Sequence, residues 1–158
     1  MTSSHFPLPL AGVFEDDGRR FTLSQPFVYR DSEKDLVVEV PAGFRTDWNS
    51  VPGALWSWFA PWEYAEAGLI HDALYKNPSG FQSRSLRPPL TRAQCDDIHR
   101  RILDLKGCRW TKRQAIWLAL RAGGGVAWNR HRAAENAALE SSPPTGRKVG
   151  KQVNPGNH

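Results

Sequence analysis

Three residues in one apolar run of the chain carry side chains that are capable of chemistry. The run ends at Tyr75 and shows helical spacing of its apolar residues, which predicts a helix over Glu63–Asn77. On that helix His71 and Tyr75 lie one turn apart, whereas His71 and Asp72 point about 100° apart. A buried polar group without a partner costs about 1–3 kcal/mol. The pattern therefore predicts catalysis, a metal site or a buried hydrogen-bond network.

A catalytic imidazole also needs a carboxylate that orients it. Asp72 cannot orient His71, because the two side chains leave the helix in different directions. The next predicted helix, Arg92–Lys106, carries Asp96 and Asp97 and is expected to pack against the His71 helix. We take Asp97 as the expected partner, and Asp96 remains the alternative.

These placements assign a role to each polar residue. His71 is the expected general base toward water, Asp97 its orienter and Tyr75 a third catalytic group, which can donate its hydroxyl to Asp72. Asp72 can bind a cation together with Asp47, so Ca²⁺ is the candidate metal. The alternative is that Asp47 belongs to a turn and that His71, Asp72 and Tyr75 form a structural cluster.

The elements that position these residues change in type along the chain. The first fifty residues predict a short antiparallel meander, which is not stable alone, with strands at Phe21–Leu23, Phe27–Tyr29 and Leu36–Val40. Helical spacing follows and predicts four helices, at Gly53–Phe59, Glu63–Asn77, Arg92–Lys106 and Lys112–Ala122.

Cap and breaker residues mark the ends of the later helices. Thr91 and Thr111 are candidate N-caps, Gly107 is a stop signal, and Gly123–Gly125 is expected to break the last helix. The fold class is therefore α+β, an N-terminal antiparallel β meander packed on three to four helices. Residues 1–132 are expected to form one domain, followed by a polar, disordered tail over 133–158.

The charge is unevenly distributed. Residues 1–79 contain six basic and eleven acidic residues, whereas residues 80–158 contain fifteen basic and five acidic residues. This excess predicts that the C-terminal half contacts an anionic surface, which is a membrane, an acidic protein or a nucleic acid. No recognised nucleic-acid-binding pattern accompanies it.

Two cysteines are too few for a disulfide framework. Cys95 and His99 are one turn apart and could bind zinc, although Cys95 also continues an apolar stripe. No signal-peptide pattern and no apolar stretch of transmembrane length are present, so a reducing cytoplasm is the expected location.

Three separated motifs occur in order along the chain, namely Gly43-Phe44 with Thr46-Asp47 and Ser50-Val51-Pro52, His71-Asp72 with Leu74-Tyr75, and Asp97 on the following helix. This combination resembles a family of phage and prophage proteins that is classed as a domain of unknown function. The resemblance spans residues 10–130 and implies a phage origin and contacts with other phage proteins, without an established activity.

The helix pair also resembles the secreted phospholipases A2. In that family a His activates water, the adjacent Asp binds calcium, and an Asp on a second helix orients the His. The resemblance implies His71 as the base, Asp72 as a calcium ligand, and Asp97 or Asp96 as the orienter. The chain departs from that family because it lacks the disulfides and the glycine-rich calcium loop.

Two functions from different classes therefore stay open. The first is a small phage-encoded hydrolase in which His71 and Asp97 cleave an ester in lipid or envelope material. The second is a non-enzymatic protein of the virion, its tail or its assembly, or a host-interaction factor, in which the same cluster is structural.

Overall fold

The computed structural model describes residues 5–16, 20–47, 63–77, 81 and 89–141. The elements, in chain order, are β1 (Gly12–Phe14), β2 (Phe21–Leu23), β3 (Phe27–Asp31), β4 (Leu36–Val40), β5 (Arg45–Thr46), α1 (Ala65–Lys76), α2 (Arg92–Leu105) and α3 (Trp110–Ser141). This arrangement confirms the α+β class. The expected helix at Gly53–Phe59, and Ser50-Val51-Pro52 of the first motif, lie outside the described residues.

The strands form two antiparallel units rather than one meander. Among the described strands, β2 pairs with β1 and β5, and β3 pairs with β4 alone. The pairing of β2 with β3 that a meander implies does not form. The next segment instead brings β5 back to β2, where Gly43 adopts a positive φ of 79° and its backbone N–H donates to Leu23 O at 2.8 Å.

Helix α1 is the centre of the core. Eight of its residues are buried, and they contact β4, β5 and both other helices. α2 begins with the predicted cap, in which Thr91 and Gln94 form a reciprocal capping box, and Gly107 follows α2 with a φ of 76°. These local signals set where α2 begins and ends, and the buried face of α2 packs against α1.

Helix α3 departs most from expectation. It runs without a break from Trp110 to Ser141, through the Gly123–Gly125 run and past residue 133, where the tail was expected to begin. The expected tail beyond residue 141 lies outside the described residues. The glycines are tolerated because part of this run packs against α1, as described below. Among the described residues, no helix combines the length and apolar character needed to cross a bilayer.

Candidate active site

The candidate site is centred on the carboxylate of Asp96 in α2. His71 Nε2 lies 2.9 Å from Asp96 Oδ1, and the Tyr75 hydroxyl donates to the same oxygen at 2.6 Å. An ionised carboxylate only accepts hydrogen bonds, so Nε2 carries the proton, and the lone pair of a neutral ring is on Nδ1. Among the described residues, Nδ1 has no hydrogen-bond partner. Asp96 therefore anchors Nε2, and Nδ1 is the ring nitrogen that could act as a base.

A third helix completes this cluster. Arg121 of α3 donates from Nη1 to Asp96 Oδ2 at 3.0 Å, so one carboxylate joins α1, α2 and α3. Burial alone would raise the pKa of Asp96, but hydrogen bonds from His71, Tyr75 and Arg121 outweigh it and hold that pKa below its usual value. Asp96 is therefore ionised at neutral pH.

Tyr75 is held in place from both sides. Its ring lies 4.1 Å from that of His71 and 5.2 Å from that of Trp128, measured between centroids. Its hydroxyl lies against Gly124 of α3, where a Cβ would come within 2.7 Å of the oxygen. Burial and the charge of Asp96 raise the pKa of Tyr75 well above its usual value, so Tyr75 remains a hydrogen-bond donor.

The structure corrects two of the expected contacts. Asp97 does not reach His71. It is exposed and accepts a hydrogen bond from Trp117 Nε1 at 3.1 Å. The reason is the helical angle of about 100° between neighbours, which turns Asp96 inward and Asp97 outward. The Tyr75 hydroxyl, in turn, donates to Asp96 and not to Asp72.

Asp72 joins α1 to the strands. Its Oδ2 accepts from the Thr46 hydroxyl at 2.6 Å and lies 3.6 Å from Lys76 Nζ, and the residue is 3 % exposed. Asp47, the second expected metal ligand, is half-buried and directly follows β5. Within the described part of the chain, no three His, Cys, Asp or Glu side chains converge as metal ligands.

A second imidazole packs on the first. The rings of His71 and His99 meet edge to face with centroids 5.1 Å apart, and His99 Nδ1 is buried with no hydrogen-bond partner in the part of the chain that the structure describes. Burial, and then the neighbouring His71, lower the pKa of His99 well below its usual value, so this ring is neutral. Burial raises the pKa of Cys95 to about 12, which keeps it a thiol of the apolar stripe.

Part of the basic excess is neutralised inside the protein. Arg101 of α2 binds Asp31 at 2.5 Å and Glu33 at 2.6 Å, next to the β3–β4 turn. Two further cations of the second half bind carboxylates of the first half, as Lys106–Glu66 at 2.7 Å and Lys112–Glu63. These ion pairs stabilise the packing of the two halves. Only the basic residues that form no such ion pair can contact an anionic partner.

Arg121 and Gly124 were not predicted as site residues from the sequence, and Thr46 was part of the first motif but was given no role there. Arg121 directly follows the apolar stripe of α3. A single cation at such a position is typical of an ordinary surface residue, so it gave no signal of a buried contact. Gly124 carries the clearest signal, since a glycine within a helical pattern often marks a close approach.

Comparison with known proteins places the chain in a family but not in a function. A family model described as "Protein of unknown function (DUF1353)" matches residues 21–120. No curated protein matches the chain, and no solved structure does. The matched span contains His71, Asp72, Tyr75 and Asp96. It ends at Leu120, so Arg121 and Gly124 lie just beyond it.

Proposed function

The chain belongs to the DUF1353 family of proteins of unknown function, and we propose that it is a small ester hydrolase whose general base is His71. The observation that carries this proposal is the hydrogen bond between His71 Nε2 and Asp96 Oδ1 at 2.9 Å. It leaves Nδ1 as the basic nitrogen and supplies a buried anion behind the ring. Tyr75 fixes that anion through the same oxygen.

The reaction assigned to this pair is general-base hydrolysis. Nδ1 of His71 accepts a proton from a water molecule as the water oxygen attacks the carbonyl carbon of an ester. The imidazolium formed is stabilised by Asp96, which does not itself take the proton. The ring then gives the proton to the leaving alkoxide, and an acid and an alcohol are released. No step depends on a metal ion.

The proposal places specific demands on the surroundings of the ring. His71 is 1 % exposed, and electrostatic catalysis is strongest where bulk water is excluded. Water and ester must nevertheless reach Nδ1 from solvent. The rate at which a small reagent modifies the ring in the native protein therefore tests access directly.

The activity test uses two neighbouring carboxylates as a matched pair. Purified full-length protein is assayed on p-nitrophenyl esters of increasing acyl length and on phosphatidylglycerol vesicles, with and without Ca²⁺. We expect His71→Gln and Asp96→Asn to lower kcat by about 10²–10⁴. Asp97→Asn, which alters only the contact with Trp117, should stay within about twofold of wild type. A wild-type protein that is folded but inert on every ester, or a His71→Gln variant as active as wild type, would reject the proposal.

A second candidate function is supported by the contact of Arg121 with Asp96. That ion pair completes a buried network that ties three helices together, as a purely structural cluster would. On this reading the protein is non-enzymatic and acts by binding, as a virion or host-interaction component. Its functional surface then lies elsewhere on the molecule.

Diethyl pyrocarbonate distinguishes the two candidates without knowledge of the substrate. This reagent acylates accessible neutral imidazoles, and peptide mass analysis assigns each modified ring. A hydrolase predicts that His71, although it is 1 % exposed, reacts in the native protein, because water and ester must reach its ring, and the same protein unfolded in urea gives the rate of an unprotected ring. A His71 ring that reacts only after unfolding favours the structural candidate.

The proposed setting is a phage or prophage, supported by the motifs given above. We place the protein in the host cytoplasm or in the virion, where an anionic membrane, an acidic protein, a nucleic acid or another phage protein would meet the cations that remain unpaired. Detection of the protein in purified particles after prophage induction would support the virion, and its absence from them would favour the host cell.

A further inference from the structure

The two oxygens of the Asp96 carboxylate have different donors. Oδ1 accepts hydrogen bonds from His71 at 2.9 Å and from the Tyr75 hydroxyl at 2.6 Å. Among the described residues, Arg121 alone donates to Oδ2, from Nη1 at 3.0 Å. The Asp96 side chain is fully buried, whereas 34 % of the Arg121 side chain is exposed. Arg121 therefore reaches from the surface of the protein to a carboxylate that is closed to solvent.

We propose that Arg121 is a positioning residue of the proposed hydrolase, which holds Asp96 so that Oδ1 stays directed at His71; this role rests on the proposed function. Arg121 acts on the imidazole through Asp96, to which both side chains are hydrogen-bonded. It lies one residue beyond the span 21–120 that the family model matches, so the family match assigns it no role.

A carboxylate that is anchored on both oxygens is held more firmly than one anchored on a single oxygen. The torsion between the carboxylate and its methylene group is broad and nearly two-fold, so one anchored oxygen leaves the group free to turn. The bond from Arg121 to Oδ2 resists that rotation and keeps Oδ1 in line with His71. The ring then keeps one direction, and so does Nδ1, the proposed base. A misplacement of about 1 Å can lower a rate by about 10².

Arg121 also supplies a positive charge to the buried carboxylate. When the imidazole is neutral, Asp96 is an anion without a counter-charge on α1 or α2, and a buried charge without a partner is costly. The neighbouring arginines are engaged elsewhere, because Arg92 donates to a backbone carbonyl of α3 and Arg132 binds Glu135 and carbonyls of α1. Among the described residues, Arg121 is therefore the cation that binds this carboxylate directly.

The side chain of Arg121 can be replaced without releasing α3 from the other helices. Arg92 Nη1 donates to the backbone carbonyl of Arg121 at 3.2 Å, and this bond does not depend on the side chain at position 121. Farther along α3, Trp128 packs on an aromatic ring of α1, and Arg132 donates to carbonyls at the end of α1 at 2.8 and 3.0 Å. Several contacts thus share the task of holding the helices together, whereas the contact with Asp96 Oδ2 is made by Arg121.

Steady-state kinetics on the ester that wild type hydrolyses fastest tests this role. Arg121→Met removes both the donor and the charge, and we expect kcat to fall by about 10- to 100-fold while KM changes by less than about twofold. Arg121→Lys should recover most of kcat, because a single N–H bond to Oδ2 does not require a planar guanidinium. Arg113→Met is the matched control, since Arg113 lies on the same helix and binds the exposed Asp104. This control should stay within about twofold of wild type.

Proton NMR of the imidazole tests the same role without a substrate. The Nε2–H proton of His71 is hydrogen-bonded to a buried carboxylate, so it should resonate far downfield and exchange slowly with water, and His71→Gln identifies it. In Arg121→Met this resonance should move upfield or broaden beyond detection, whereas Arg121→Lys and Arg113→Met should retain it. Circular dichroism and urea unfolding show whether each variant is folded. Arg121→Gln, which lacks the charge, replaces Arg121→Met if that variant does not fold.

The two readouts separate the role of Arg121 from the proposed function. A wild-type protein that hydrolyses no ester, but whose resonance is lost in Arg121→Met, rejects the hydrolase and supports Arg121 as the residue that positions the His71–Asp96 pair. A folded Arg121→Met protein that retains both kcat and the resonance overturns the role of Arg121, as does an equal loss in Arg113→Met. A folded wild type without the resonance also overturns it, since His71 is then not held by Asp96.

Discussion

The hydroxyl of Tyr75 and the α-carbon of Gly124 lie so close that no side chain fits between them: a Cβ on Gly124 would stand 2.7 Å from the oxygen. Gly124→Ala therefore has to displace the Tyr75 hydroxyl, which donates to Asp96 at 2.6 Å. We expect a loss of about 1–3 kcal/mol in the free energy of unfolding, measured by urea denaturation.

Gly123→Ala is the control for that substitution. Gly123 is exposed on the same helix, so alanine should there improve helix propensity and stabilise the protein by about 0.5–1 kcal/mol. Equal effects at the two positions would contradict a packing role for Gly124.

The contact between Arg101 and Asp31 predicts that the same substitution at Arg101 and at its neighbour Arg100 lowers the free energy of unfolding by different amounts. Asp31 is 1 % exposed and accepts hydrogen bonds from Arg101 and Tyr29. Arg101→Met should cost about 2–3 kcal/mol, because it leaves a buried carboxylate short of donors. Arg100→Met should cost less than about 1 kcal/mol, since Arg100 lies over the Trp117 ring and has no carboxylate partner among the described residues.

The same substitution should shift acid unfolding. Burial raises the pKa of Asp31, but hydrogen bonds from Arg101, the backbone of Lys34 and Tyr29 lower it below its usual value overall. The stability that Asp31 contributes is therefore present above about pH 4 and is lost as the pH falls through its folded pKa. Without Arg101 that loss should begin at a higher pH. An acid transition at the same pH in both proteins would count against this account.

His99 should make stability depend on pH near neutrality. Burial and the nearby His71 lower its pKa in the folded state, whereas the unfolded chain has a pKa of about 6.5. The unfolded state therefore binds the proton first, and stability falls by up to about 1.4 kcal/mol per pH unit below about pH 6.5. His99→Gln removes this contribution. Urea unfolding at pH 7.5 and 5.5 should show a smaller difference for the variant, and equal differences would exclude His99 as the cause.

The contact of Thr46 with Asp72 can be tested by the same substitution at Thr46 and at Thr22, which is the control. Thr46 is fully buried and donates to the buried Asp72, so Thr46→Val should cost about 1–3 kcal/mol. Thr22 donates to Glu15 at 3.2 Å, and Glu15 can find water instead. Thr22→Val should therefore cost less than about 0.5 kcal/mol in thermal or urea unfolding. A Thr46→Val protein as stable as wild type would show that Asp72 does not need this donor.

Much of the fold could be predicted from the sequence, because the local sequence signals favour the elements that the structure contains. The strand patterns, the Thr91 cap, Gly107 and the apolar spacing of α1 act over a few residues, and the structure keeps all of them. The glycine run misled the prediction, since three adjacent glycines lower helix propensity. Contacts of α3 with α1, including those of Arg132 with the carbonyls of Tyr75 and Lys76, outweigh that cost.

The candidate site was less predictable because its contacts join distant parts of the chain. The sequence indicated that His71 and a carboxylate of α2 would meet, but choosing between Asp96 and Asp97 required the rotation of α2 about its axis. The role of Arg121 could not be predicted from the sequence for a further reason. Its role depends on α3 crossing α2 at Asp96, and no short-range pattern encodes that crossing.

The cross-half ion pairs have a consequence for synthesis of the chain on the ribosome. The acidic strands and α1 emerge first, and their partners Arg101, Lys106 and Lys112 follow later. Asp31, which is buried in the folded protein, therefore stays hydrated until Arg101 has been synthesised. We expect the strands to pack stably on the helices only after α2 and the start of α3 have left the ribosome.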